Sequence, residues 1–147
     1  LAQNQTQHRL SADDLTQLAR SHFAWAATML GTSIVYRTVP DQTWICLAAL
    51  VLACSLGFLI DRWALGGDRQ DRKAAFRVFH DTGAIGAGFI GLIGVNLAYL
   101  LIILPVGLGA KPNWPGEATM LGMTGALVAK GLFALWLKHK PPPVQAG

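Results

Sequence analysis

Chemistry in this chain has few places to reside. Lys130 stands alone in an otherwise uncharged apolar run, Ala118 to Leu137. A charge at the centre of a bilayer costs at least about 3 kcal/mol, so an ionisable residue there is a candidate functional group. Lys130 shares a helical face with Gly122 and Ala126 and precedes Trp136 by about 9 Å of helix rise. Its stem is long enough to snorkel to that interface. It therefore snorkels, pairs with an acid such as Asp61 or Asp81, or contacts an anion. Asn96, midway along another apolar run, is placed to hydrogen-bond a neighbouring helix. His22 and His80 open two apolar runs; two histidines on different helices can ligate haem or a metal, or face a quinone. Neither has a second ligand-type residue at i+3 or i+4. The expectation is therefore no cofactor and no metal. Arg62, Arg69, Arg72, Lys73 and Arg77 form a basic segment suited to anionic headgroups, diluted by Asp61, Asp68, Asp71 and Asp81.

No phosphate-binding glycine loop, H-E-x-x-H, C-x-x-C or G-x-S-x-G is present. No catalytic residue is assigned, and the chain reads as a non-enzyme. Cys46 and Cys54 fall in one apolar run about 12 Å apart along a helix, beyond disulfide reach.

These residues are positioned by apolar helices. Of 147 residues, 52% are hydrophobic and only 14% charged, against a soluble average of about 25% charged. The expected fold is all-α: an integral-membrane four-helix bundle forming a single domain. Spans are expected at about 21–39, 43–60, 82–108 and 118–137, each near the roughly 20 residues that cross a bilayer. Trp44 and Trp63 bracket the second span about 28 Å apart, which fits an aromatic belt. The first span is the most polar, with Ser21, His22, Thr28, Thr32 and Ser33. Pro105 is expected to bend or end the third.

The third span is glycine-rich. Gly83, Ala87 and Gly91 lie four apart, with Ala84 and Gly88 beside them and Gly94 further round, a small-xxx-small stripe expected to pack another helix. Short amphipathic surface helices are expected before the first span, capped by Ser11, and between the second and third, over Arg69 to Phe79. Residues 1–10 read as a polar tail, 61–81 as a charged loop with a turn at Gly66 and Gly67, and 141–147 as an extended proline-rich tail. Lys111 to Glu117 reads as a tight loop anchored by Trp114.

With both termini on one side, Arg9, Arg20, Arg62, Arg69, Arg72, Lys73, Arg77, Lys138 and Lys140 oppose only Arg37 and Lys111. This bias predicts termini in the cytoplasm or matrix, in a bacterial or organellar inner membrane. The net charge of +4 is accordingly read as lipid-facing and topological, not nucleic-acid binding. The partners expected are membrane lipids and other membrane subunits or further copies of this chain.

The string LGFLIDRW is similar to the second-span signature of lipoprotein signal peptidases. GVNLAYL, however, has tyrosine where that family's asparagine-alanine-aspartate motif would end, which disfavours peptidase activity. Over more of the chain, GFLIDRW, RKAAFRVF and FALWLKHK in a four-span frame resemble GtrA-like proteins, with FLIDRW and ALWLKHK closing two weak repeats. That resemblance implies transport or flipping of a lipid-linked or anionic substrate. It departs from the family at Gly57 and Lys130, near where asparagines usually sit. The reading preferred is a non-catalytic accessory subunit held by glycine-rich helix packing; the small transporter is the alternative.

Overall fold

The structure, a computed structural model, describes residues 10–39, 41–65, 69–103 and 114–140, and every regular element among them is helical. Helix α1 is Ala12–Thr38, α2 Thr43–Leu65, α3 Arg69–Phe79, α4 Ile85–Ala98 and α5 Trp114–His139. π-helical turns at His80–Ala84 and Tyr99–Ile103 flank α4. The turn expected at Gly66 and Gly67, Pro105, residues 111–113 of the expected loop, residues 1–9 and the C-terminal tail lie outside the described residues. Residues 114–117, expected in that loop, instead form the first turn of α5, where Glu117 is an acidic residue at the helix start.

Helix α1 begins where its capping chemistry dictates. Ser11 Oγ accepts from the Asp14 amide at 3.0 Å, and the Asp14 carboxylate accepts from the Ser11 amide at 2.9 Å. This reciprocal box satisfies donors that a helix start otherwise leaves open. The helix then continues through the expected surface segment and the first expected span without a break.

Three stretches are long and apolar enough to cross a membrane: Thr43–Trp63, Lys73–Leu101 and Pro115–His139. Helix α1 is not among them. Its polar residues lower its hydropathy, and its position explains them. Ser21, His22, Thr32 and Ser33 are buried, because α1 packs extensively against both α2 and α5. Thr28 and Thr32 also return their hydroxyl protons to the Trp25 and Thr28 carbonyls, at 2.8 and 3.0 Å. Such back-bonding satisfies a hydroxyl without water.

Neighbouring helices run antiparallel. Ser21 meets Asp61 at one end of the α1–α2 pair, while Cys46 Sγ lies 3.6 Å from the Val39 carbonyl at the other. Against α5, the Phe23 ring lies on Gly131 and the Tyr36 ring on Gly116. Gly91 of α4 meets Gly125 of α5, and Asn96 meets Gly122. The extensive contacts among the described residues therefore run α2–α1–α5–α4. This is a more open arrangement than the four-helix bundle expected, since α4 is not packed broadly on α1 or α2. Large apolar side chains of α2 (Leu52, Phe58, Leu59) and α4 (Phe89, Ile90, Ile93) stay exposed.

The amphipathic stretch Arg69–Phe79 is helical, but it joins α4 through a kink. Gly83 has φ +106°, a conformation that side chains with a Cβ rarely adopt. Thr82 Oγ1 donates to the Phe79 carbonyl at 2.6 Å beside it. The kink lets Phe79, completely buried, pack in a core with Leu15, Leu18, Ala19, Ala84 and Ala134, so that α1, α3 and α5 meet there. Met29, Ala53 and Met120 form a second core nearer the other end.

Candidate functional site

Of the residues singled out for chemistry, His22, His80 and Lys130 lie at the end of the helices marked by Asp61, while Asn96 lies further along α4 against Gly122. His22 comes from α1, His80 from the π-turn and Lys130 from α5. His22 is 5% exposed, and its Nδ1 lies 2.7 Å from the Leu18 carbonyl. A carbonyl only accepts, so Nδ1 carries a proton and donates it. The neutral ring therefore keeps its lone pair on Nε2. Lys130, Asp61 and His80 all lie within electrostatic reach of His22; Lys130 and Asp81 lie within reach of His80. His80 Nδ1 is buried with no hydrogen-bond partner among the described residues.

Phe76 and Phe79 build the walls. The Phe79 ring centroid is 5.5 Å from that of His22 and 6.2 Å from that of His80. Phe76 stands 6.0 Å from His22 and stacks on His80 at 6.3 Å. Phe79 thus occupies space close to both imidazoles, which does not fit a haem plane held between two axial nitrogens. Among the described residues no group of three histidine, cysteine or carboxylate side chains is placed to hold a metal.

Lys130 does not pair with Asp61 or Asp81. Asp61 instead accepts a hydrogen bond from Ser21 Oγ, and Lys130 makes no ion pair among the described residues. Its stem crosses α4 at Gly88, where a Cβ would stand 2.6 Å from the lysine Cε. Only the absent side chain makes that passage. Of the basic segment, Arg62, Lys73 and Arg77 are exposed, while Arg69 and Arg72 lie in α3.

The glycine stripe is rotated from the expected one. The α4 face that meets α5 is Gly88, Gly91 and Val95, opposite Gly125, Ala129 and Lys130, with Ala84 of the π-turn continuing it toward Ala134. Ala84, Gly88 and Gly91 belong to the expected small-residue set, on the side away from Ala87 and Gly94. A Cβ on Gly91 would collide with the Gly125 carbonyl and stand 2.6 Å from the Ala129 Cβ. Gly122 does lie in this contact, buried beneath Asn96, whereas Ala126 is half-buried. Gly83 serves the kink, Ala87 is half-buried, and Gly94 faces open space. Asn96 also differs from expectation: its Nδ2 donates to the Leu92 carbonyl of its own helix at 2.8 Å, and its amide rests on Gly122.

A second polar cluster, at the opposite end, was not anticipated. Arg37 Nη1 donates to Glu117 Oε1 at 3.2 Å, and the Tyr99 hydroxyl lies within electrostatic reach of the same carboxylate. Glu117 and Tyr99 are both buried. Arg37 closing α1 and Glu117 opening α5 were visible as opposite charges at span ends, but nothing in their spacing marks α1 and α5 as neighbours. Nothing matches this chain among family models, curated proteins or solved structures, so the GtrA-like resemblance gains no support from relatives.

Proposed function

We propose that this chain is a non-catalytic accessory subunit of a larger membrane assembly. In this reading all four long helices cross the bilayer, with both termini on the cytoplasmic or matrix side of a bacterial or organellar inner membrane. The positive-inside count supports that orientation. The observation that carries the subunit reading is the uncovered flank of α4. Among the described residues, Gly86 and Gly94 would meet nothing within 4 Å if given a Cβ, and Ala98 is exposed as well. Helix association in lipid depends on close backbone approach, which small residues permit. Gly91 shows that use within the chain; Gly94 and Ala98, four apart, offer a second helix the same approach. Lipid tails gain nothing from such a surface.

The test is native mass measurement after gentle extraction from the source membrane. The expected result is a particle of fixed stoichiometry containing this 15.7 kDa chain and other membrane polypeptides. Gly94→Leu should release the chain without altering its own helix content. A lone chain, or a small homo-oligomer carrying lipid, would overturn the subunit reading in favour of the transporter alternative.

A further inference from the structure

The cluster of His22, His80 and Lys130 holds a cation that makes no ion pair and a buried imidazole nitrogen without a hydrogen-bond partner among the described residues, while Asp61 and Asp81 lie within electrostatic reach of the two histidines. That cation, Lys130, is half-buried. Asp61, which lies within electrostatic reach of His22, is engaged by Ser21. His80 Nδ1 is buried and unbonded, although buried polar atoms almost always find a partner. His22 turns its uncommitted Nε2 edge away from the Leu18 carbonyl. The three groups come from three separate elements, and their approach depends on two specific features. Gly88 lets the lysine stem pass, and the Gly83 kink brings His80 and Phe79 back toward α1.

An ammonium with no ion pair among the described residues, within electrostatic reach of a buried imidazole nitrogen that has no partner among them, suits an oxyanion. A haem is disfavoured by Phe79, and a metal by the absence of a third ligand among the described residues. A phosphate group suits the remaining donors, since lysine recognises it as a point charge and imidazole N–H groups hydrogen-bond its oxygens. We propose that Lys130 and His80 bind a phosphate-type oxyanion, with His22 as a third contact once its Nε2 is protonated. The cluster lies within about 9 Å of helix rise of Trp136, so both a lipid phosphodiester and a soluble phosphate are within range. The inference does not depend on whether the chain has a protein partner.

The test uses the full chain, purified and delipidated, then offered phosphatidylglycerol, phosphatidylcholine or inorganic phosphate. Native mass spectrometry should show one phosphatidylglycerol retained about tenfold or more over phosphatidylcholine, or inorganic phosphate should raise the thermal midpoint. The first result identifies a headgroup and the second a soluble ion. Either effect should fall about tenfold or more in Lys130→Met and in His80→Gln, and survive in Lys130→Arg. Lys138→Met, at an exposed position, should change neither. If Lys130→Met fails to fold, His80→Gln decides the matter. Equal retention of the two lipids with no response to phosphate would overturn the proposal. So would a loss in Lys138→Met as large as in Lys130→Met or His80→Gln.

Discussion

Gly91 and Gly94 are three residues apart in one helix and meet opposite surroundings. Gly91 touches the backbone of Gly125, while Gly94 faces no atom that a Cβ would reach. Adding a methyl at Gly91 must push α4 from α5, a form of overpacking that costs about 1–3 kcal/mol. At Gly94 the same methyl should change the stability of the isolated chain by about 0.5 kcal/mol or less. Unfolding in mixed detergent should therefore separate Gly91→Ala from Gly94→Ala, with Gly91→Ala alone shifted toward instability. Equal effects would mean that the two helices do not meet at Gly125. Arg37 provides a second test at this scale. Removing it leaves the buried Glu117 carboxylate with Tyr99 but without its cation, and a charged group losing a partner costs about 1–3 kcal/mol. Arg37→Ala should show that loss, and Arg37→Ala combined with Glu117→Gln should recover part of it, because the stranded charge is gone.

Among the elements, the junction of α3 and α4 has the most specific geometry. Gly83 holds a positive φ, and an alanine there would cost about 1–3 kcal/mol or force the turn to straighten. Straightening would draw Phe79 away from Leu18 and Ala134. Gly83→Ala should therefore destabilise the chain and speed proteolysis at the exposed Lys73 and Arg77. Gly83→Asn should do less harm, since asparagine tolerates positive φ better. Similar stability for Gly83→Ala and the parent chain would argue against the kink. Much at this scale was legible beforehand. The Ser11 cap, the helix over Arg69 to Phe79 and the tryptophan-bracketed α2 each rest on local chemistry or period. The rotation of α4 was not legible. With glycines at 83, 86, 88, 91 and 94, several faces of the helix are small, and the true one is selected by Gly125 and Lys130 on a partner helix. The kink was hidden for a related reason: a glycine that packs and a glycine that turns are the same letter. Likewise Ser21, His22 and Asp61 were each visible, but their meeting depends on α1 and α2 lying antiparallel at one register.

The same dependence decides how the whole molecule sits in a membrane. Judged as a string, α1 is too polar to count among the membrane-crossing helices. Its surface is not polar, however. Between Ser21 and Tyr36 its exposed residues are Ala27, Leu30, Gly31 and Ile34, while Ser21, His22, Thr32 and Ser33 are turned into the protein. Hydropathy averaged along a chain counts all of these alike, whereas lipid meets only the outer face. A helix whose polar residues are covered by α2 and α5 can cross a bilayer that the same sequence would not cross alone. Under the proposed four crossings the antiparallel contacts alternate the helices, and the nine-to-two count of basic residues is what the positive-inside rule predicts for termini on the inner side. Cysteine labelling tests both steps in a Cys46→Ala, Cys54→Ala background. In sealed right-side-out vesicles, Asp41→Cys should react with an impermeant thiol reagent, while Asp13→Cys and Lys73→Cys should react only after permeabilisation; all three positions are exposed. Reaction of Asp13→Cys and Asp41→Cys from the same side would mean that α1 lies along the membrane. The positive-inside assignment would then have to be redrawn around three crossings.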